Sequence, residues 1–255
     1  MTRNSEDWQS RTRLLIGDAA AERLFGSRVT VVGLGGVGGI AAEMLARAGI
    51  GSMTVIDGDV FDATNRNRQI GALASTAGRA KTEVMAERLR DVNPAIRLNV
   101  IRTYLNAGDI ADVIGPDSCD CLLDAIDSLT PKVELLRYCI ENQIPVVSCM
   151  GSGCRLNPEL VRCADISETE HCPLARAVRR ELRKRGIVKG LSVIFSPEDP
   201  AAGSVIDCRV EGVPNKRSVT GTISYMPAVF GCHCAAAVIR KLISGFGGKC
   251  RPDCV

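Results

Sequence analysis

The sequence predicts an α/β fold: a doubly wound, mostly parallel sheet, with a helical extension before it and a mixed segment after it. Three observations carry this expectation. Short β-branched apolar runs alternate with helical stretches through residues 28–150. A glycine-rich turn, GLGGVG, joins the first run to the first of those helices. An aspartate, Asp57, ends the second run.

Taken in order, the stretch from Trp8 to Phe25 reads as a helical extension. RVTVVG at 28–33 suits a strand buried on both faces. LGGVGGIAAEMLARAG comes next, with Ile40, Met44 and Ala48 on one helical face and Gly49 as the stop. SMTVID is a second buried strand. Met85, Leu89 and Val92 mark an amphipathic helix over 79–92, which Asn93-Pro94 ends. RLNVIRTY, CLLDAID and IPVVSCM are further strands, and a helix starts near Pro131 between the last two. Strand and helix alternating in this way indicate parallel βαβ units in a Rossmann-like sheet.

Beyond Met150 the rhythm changes. Loops surround short strands, SVIF among them, and a helix over 227–242 closes the chain. We read 1–255 as one domain: a helical extension at 1–27, a nucleotide-binding core at 28–150, and a closing segment at 151–255 that finishes the site.

Composition narrows the class. A chain of 255 residues that is 45% hydrophobic and 24% charged can bury a sizeable core. The start, MTRNSEDWQSRTR, is too polar for a secretory leader. The most apolar region, 29–56, is broken by Glu43 and Arg47 and reads as strand–helix–strand, so no membrane span is expected. Twelve cysteines without a leader point to free thiols in a reducing, cytoplasmic setting.

Gly33, Gly35, Gly36 and Gly38 fit G-x-G-x-x-G between strand and helix, with Asp57 placed for ribose hydroxyls. The helix N-terminus would offer free N–H groups to a phosphate. The loop alone does not separate a nicotinamide cofactor from ATP. The residues after Asp57 do. Asn65, Arg68 and Lys81 fall where the chain returning from the second strand would line the phosphate end. Attack at an α-phosphate develops charge that fixed cations and a metal must stabilise, whereas hydride transfer has no use for this set. CLLDAIDS puts Asp124 and Asp127 at the carboxyl end of a strand, where an acid can hold Mg2+ between phosphates. Asp59 and Ser128 complete the expected nucleotide-contacting set.

At these residues the chain resembles the adenylating enzymes related to ubiquitin activation, the ThiF/MoeB type. The matching pieces are the glycine loop, Asp57, Asn65 with Arg68, Lys81 and Asp127. The family's arginine finger, given across a homodimer, would fall on Arg11. Within the family the likeness is to the branch of tRNA threonylcarbamoyladenosine dehydratases, through NRQIGAL, KTEVMAERLRDVNP, LLDAIDSLTPKVELL, CPLARAVRRELRKRGI, VIFSPE and GTISYMPAVFG. The resemblance implies ATP-dependent dehydration of threonylcarbamoyladenosine in tRNA through an acyl-adenylate. It implies catalytic roles for Arg11, Arg68, Lys81 and Asp127, with ATP and Mg2+ as required small molecules. The alternative inside the family is activation of the C-terminus of a ubiquitin-like sulfur carrier. A cysteine desulfurase or sulfur-acceptor system is then a candidate partner.

Two local features depart from the branch: Cys172 stands where it usually has Asp, and Cys154 replaces a polar residue. The paired C-x-x-C motifs of many relatives are missing, so no zinc is expected. Most cysteines read as incidental thiols; His171-Cys172, with or without His233, is the weaker metal or redox candidate. The stripe RAVRRELRKRGIVK, with Arg176, Arg179, Arg180, Arg183 and Lys184, suits the phosphates of tRNA.

Overall fold

A computed structural model of the chain describes residues 7–115, 117–207 and 218–245. Helices α1 (Ser10–Ile16) and α2 (Asp18–Gly26) precede the sheet. The expected single extension is divided by Gly17, whose φ of 83° belongs to the left-handed region. Arg13 ties the pieces together through Asp7, Asp18 and Glu22. Helix α1 buries none of its residues, and Leu14 and Leu15 stand 65% and 84% exposed.

The core alternates as the sequence predicts, with one short helix, α5, that it does not mark: β1 (Arg28–Val32), α3 (Gly36–Arg47), β2 (Ser52–Ile56), α4 (Lys81–Val92), β3 (Arg97–Ile101), α5 (Ile110–Val113), β4 (Cys121–Asp124), α6 (Leu129–Glu141) and β5 (Val146–Cys149). The later segment adds β6 (Arg162–Asp165), α7 (Pro173–Arg183), β7 (Ser192–Phe195), the β8 (Val205–Asp207) and β9 (Ser218–Thr220) hairpin, and α8 (Tyr225–Ile243). Seven strands form one sheet in the order β3-β2-β1-β4-β5-β7-β6. All neighbours are parallel except β6, which runs antiparallel to β7 at the edge. Thus β6 and β7 complete the same sheet.

Register follows from burial. Val32 pairs with Ile56 on one side and Asp124 on the other, so the first, second and fourth strands end level. Strands β4 and β5 are buried at every residue, which explains their unbroken apolar runs. One face is covered by α2, α3, α4 and α8, through Leu24, Leu45, Met85, Leu89, Phe230 and Val238. The other face is covered by α5, α6 and α7, through Ile110, Leu136, Val178 and Leu182. Strand order reverses between β1 and β4, and the crevice at their carboxyl ends is where such sheets take ligands.

Helix α8 is long and apolar enough to cross a membrane by length and composition. Its apolar face instead packs on α3, so closely that a Cβ on Gly231 would lie 2.6 Å from the Val37 carbonyl oxygen.

A buried carboxylate fastens α3 to α4. Glu43 accepts from Arg47 Nη2 at 2.7 Å and from Arg88 Nε at 2.5 Å. Burial alone would raise its pKa, but the two guanidiniums hold it below the ordinary carboxylate range. A depressed folded pKa gives stability that is present above the unfolded value and lost as pH falls through the folded one. Glu43→Gln should therefore cost about 2 kcal/mol near neutral pH, trimmed by the half-exposed arginines. Urea titrations at neutral pH and well below the usual carboxylate pKa should show that cost shrinking as acid protonates the wild-type side chain.

Candidate functional site

The glycine loop sits on two strand ends. Gly33 N–H donates to the Ile56 carbonyl at 2.8 Å, and Ala125 N–H donates to the Val32 carbonyl at 2.8 Å. Asp57 then locks the loop: its Oδ2 accepts from Leu34 N–H at 2.6 Å and its Oδ1 from Asp59 N–H at 2.8 Å. The acid that the sequence marks as a ribose ligand is thus also the brace between the first two crevice loops.

The four glycines differ in what they permit. Gly33 has φ 89°, and a Cβ there would lie 2.8 Å from the Ala125 carbonyl oxygen. On Gly36 it would lie 2.9 Å from Pro227 Cβ, and on Gly38 it would overlap the Gly33 carbonyl oxygen at 1.8 Å. These three glycines are required by the protein's own packing. Gly35 faces open space at the start of α3: among the described residues beyond its chain neighbours, the Gln69 side-chain nitrogen, at 3.9 Å, is the heavy atom a Cβ would meet within 4 Å.

A second loop brings up the cations. Residues 59–61 run against 79–81, with Phe61 N–H to the Arg79 carbonyl and Lys81 N–H to the Asp59 carbonyl. Lys81, first in α4 and buried, places Nζ 2.8 Å from Asp59 Oδ2. Tyr104 donates its hydroxyl to Asp59 Oδ1 at 2.6 Å and lays its ring where Gly58 has no side chain. The bond to Asp59, then burial and nearby acid charge, push the Tyr104 pKa up to about 12. Arg68 leans on the Thr64 carbonyl and Asn67 Oδ1 at 3.0 and 2.9 Å, and no described carboxylate neutralises it. Its own carbonyl oxygen would lie 3.2 Å from a Cβ on Gly36, so the turn abuts the glycine loop.

Asn65 is placed differently from expectation. It is buried, and its carboxamide exchanges bonds with Asp62, donating to Oδ2 at 3.0 Å and accepting from its N–H at 3.4 Å. Asn65 therefore shapes the turn that presents Arg68 rather than lining the phosphate end itself. Arg66 points to solvent.

The third loop separates two acids that the sequence placed together. Asp124 is fully buried, 2.6 Å from Lys132 Nζ and 2.6 Å from Ser148 Oγ. It has no access to a metal. Asp127 is exposed, and its Oδ1 accepts from Ser128 Oγ at 3.3 Å. A single open carboxylate fits Mg2+, which keeps waters and shares its ligands with substrate phosphates. Among the described residues no three His, Cys, Asp or Glu side chains converge on a common metal position.

The closing segment walls the crevice. Asn67 Nδ2 donates to the Thr222 carbonyl at 2.9 Å, and Tyr225 donates its hydroxyl to the Leu156 carbonyl at 2.8 Å. Leu156, Ile223 and Tyr225 form an exposed apolar rim.

Arg11 is exposed and is not brought to this crevice. Gln9, near the start of α1, donates to the Arg47 carbonyl, at the far end of α3 from the glycine loop. The 12-residue helix spans roughly 18 Å. On α7, Arg176 and Arg183 are exposed and pair with no described residue. Arg180 and Lys184 share Glu181. Arg179 must be removed from the exposed stripe: it turns inward to the Thr169 carbonyl at 2.7 Å. Cys172 caps α7, its Sγ accepting from Ala175 N–H at 3.5 Å, a task for which Asp is the better residue. His171 pairs with Asp199 at 2.6 Å. Among the described residues Cys232 is the exposed thiol; Cys250 and Cys254 lie outside them.

A parallel sheet with a glycine loop, a bracing acid and two cations on the adjoining loops at its switch point defines a nucleotide-binding α/β protein. The chain belongs to the ThiF family, whose model matches residues 9–252. It is 35% identical to the tRNA threonylcarbamoyladenosine dehydratase of Escherichia coli, over 94% of this chain and 96% of that one. It is 40% identical to the dehydratase of the same name from Bacillus subtilis, over 75% of each chain. A crystal structure of the E. coli dehydratase TcdA in complex with ATP superposes with a TM-score of 0.83 at 33% identity, covering 94% of this chain and 97% of that one.

The glycine geometry makes a direct prediction. Gly38→Ala should cost at least ~3 kcal/mol or prevent folding, because the new methyl meets backbone. Gly35→Ala should leave the melting temperature nearly unchanged. Thermal melts of the two variants check this, and equal losses would mean that Gly35 too is packed by protein.

Proposed function

We propose that the chain is an ATP-dependent tRNA threonylcarbamoyladenosine dehydratase that works through an acyl-adenylate. One observation carries the reading: the glycine loop, open at Gly35, is braced by Asp57 to the loop whose Asp59 holds Lys81 and abuts the turn that carries Arg68, in a chain alike along nearly its whole length to dehydratases of that name. Activation of a ubiquitin-like sulfur carrier is not favoured, since the full-length likeness is to the dehydratases.

In this reading ATP lies across the crevice, with its ribose toward Asp57 and Asp59 and its phosphates over the first turn of α3. The threonyl carboxylate attacks the α-phosphorus and pyrophosphate leaves. Arg68 and Lys81 offset the charge that builds on the phosphoryl oxygens. Asp127, with Ser128 beside it, would hold Mg2+, which supplies Lewis-acid stabilisation of the polyphosphate when bound. The ureido oxygen then attacks the activated acyl carbon, an oxazolone closes, AMP departs, and the ureido nitrogen gives up its proton. The net change is loss of water. The second step is intramolecular, so it needs no enzyme nucleophile.

Arg11 serves a neighbouring subunit in this scheme, because its own crevice is out of reach. The exposed Leu14 and Leu15 beside it suit a homodimer interface. Arg176, Arg180, Arg183 and Lys184 offer tRNA phosphates a positive face. The setting is cytoplasmic, where tRNA and ATP are found. A sulfur-donating partner would have to reach Cys232 among the described thiols, and no step of the reaction requires one.

Incubation with ATP and tRNA carrying the modification should yield a nucleoside lighter by one water in mass spectrometry. Turnover that needs a small Gly-Gly-ended protein instead would overturn the assignment. Arg68→Ala and Lys81→Ala should each slow adenylation by ~10²-fold or more, measured as ATP–pyrophosphate exchange. Mixed dimers of Arg11→Ala with Asp127→Ala should recover part of the activity that each homodimer lacks. Absence of recovery would place the finger elsewhere.

A further inference from the structure

The residue after Arg68 has no task in the fold. Gln69 is 8% exposed, and its backbone is satisfied: N–H to the Asn65 carbonyl at 2.9 Å, carbonyl from Ala72 N–H at 3.0 Å. Its carboxamide makes no hydrogen bond with any described residue, and its Oε1 is wholly buried without a donor. As placed, the amide sets Nε2 rather than Oε1 toward Gly35. Buried amides are bonded in the great majority of cases, so an orphan calls for a specific cause. Position supplies one. Among the described residues, and the glycine's own chain neighbours aside, Gln69 Nε2 is the heavy atom within 4 Å of the space that a side chain on Gly35 would fill. That space lies over the first turn of α3, whose leading N–H groups have no partners within the helix. A side chain at Gly33, Gly36 or Gly38 would instead meet protein atoms.

We propose that Gln69 is a nucleotide-binding residue: its carboxamide lies across the cradle from the α3 amides and donates to a phosphate oxygen held there. This rests on the proposal that ATP occupies the glycine loop. The group stays unbonded in the ligand-free protein, so stability of the empty site is given up for a donor already in place when the anion arrives. An uncharged donor beside Arg68 adds direction to a site whose cations supply charge.

The test separates this from a merely structural glutamine. Gln69→Leu removes the orphaned polar group while keeping its bulk, so the ATP-free protein should melt about 2–4 °C higher than wild type. The same variant should bind ATP about tenfold more weakly by calorimetry. Gln69→Glu should bind more weakly still, because it sets a like charge against phosphate. Gln69→Met repeats the first comparison should the leucine variant fail to fold. ATP affinity within twofold of wild type in Gln69→Leu, with wild type binding normally, overturns the inference and leaves the proposed function standing. Wild type that binds no ATP overturns both.

Discussion

The site depends on a single carboxylate. Asp57 accepts from Leu34 N–H of the first crevice loop and from Asp59 N–H of the second. Both bonds are charge-assisted and short, and they hold two loops that emerge from neighbouring parallel strands at one relative position. The constraint propagates outward from there. The backbone of Asp59, so held, takes the amide of Lys81, and its side chain takes the ammonium. The glycine loop, so held, leaves no room for a side chain on Gly36 between the Arg68 carbonyl and the ring of Pro227. Two cations and the end of α8 are thereby located by reference to one acid.

The third loop is set by a different device. Lys132 and Asp124 form an ion pair with no exposure, completed by Ser148 and the Cys149 carbonyl. Such pairs gain little net stability, since desolvation offsets most of the attraction. Their value is in directing geometry. Asp124 also accepts from Ile126 N–H at 3.0 Å, which bends the chain out of β4 and delivers Asp127 to solvent on the open side of the crevice. One acid is buried so that the other is presented.

Much of this is legible in the sequence, and the misses have physical causes. The strands of the core announce themselves because sheets covered on both faces need unbroken apolar runs. The glycine loop, Asp57 and Lys81 are fixed by spacing from strand ends, so one-dimensional distance predicts them. The edge strand β6 escapes such a reading: RCAD carries no periodic signal, and its pairing with β7 decides its state. Asn65, Arg179 and Asp124 mislead for another reason. Residue type gives a side chain's chemistry, while neighbours decide which way it turns, and here Asp62, Thr169 and Lys132 lie far enough off the pattern to hide that choice. Lys132 does leave a trace: it shares a helical stripe with buried Leu136 and Cys139, a place where a lysine needs a buried acid. Tyr104 leaves none, because its partner Asp59 is reached only through the folded loops.

The two cations are not held alike, and the difference bears on the proposed chemistry. Arg68 has no carboxylate partner among the described residues and is anchored by neutral oxygens. Lys81 is already paired with Asp59. A triphosphate over the glycine loop would have to draw that ammonium from its acid, or share it. Tyr104 bears on the exchange. By donating to the other oxygen of Asp59 it takes up part of that carboxylate's charge, which lowers the cost of turning Lys81 toward phosphate. In the proposed reaction both cations would meet charge moving onto departing pyrophosphate, Arg68 from a fixed anchor and Lys81 after release from Asp59, and only interactions that strengthen as that charge develops lower the barrier.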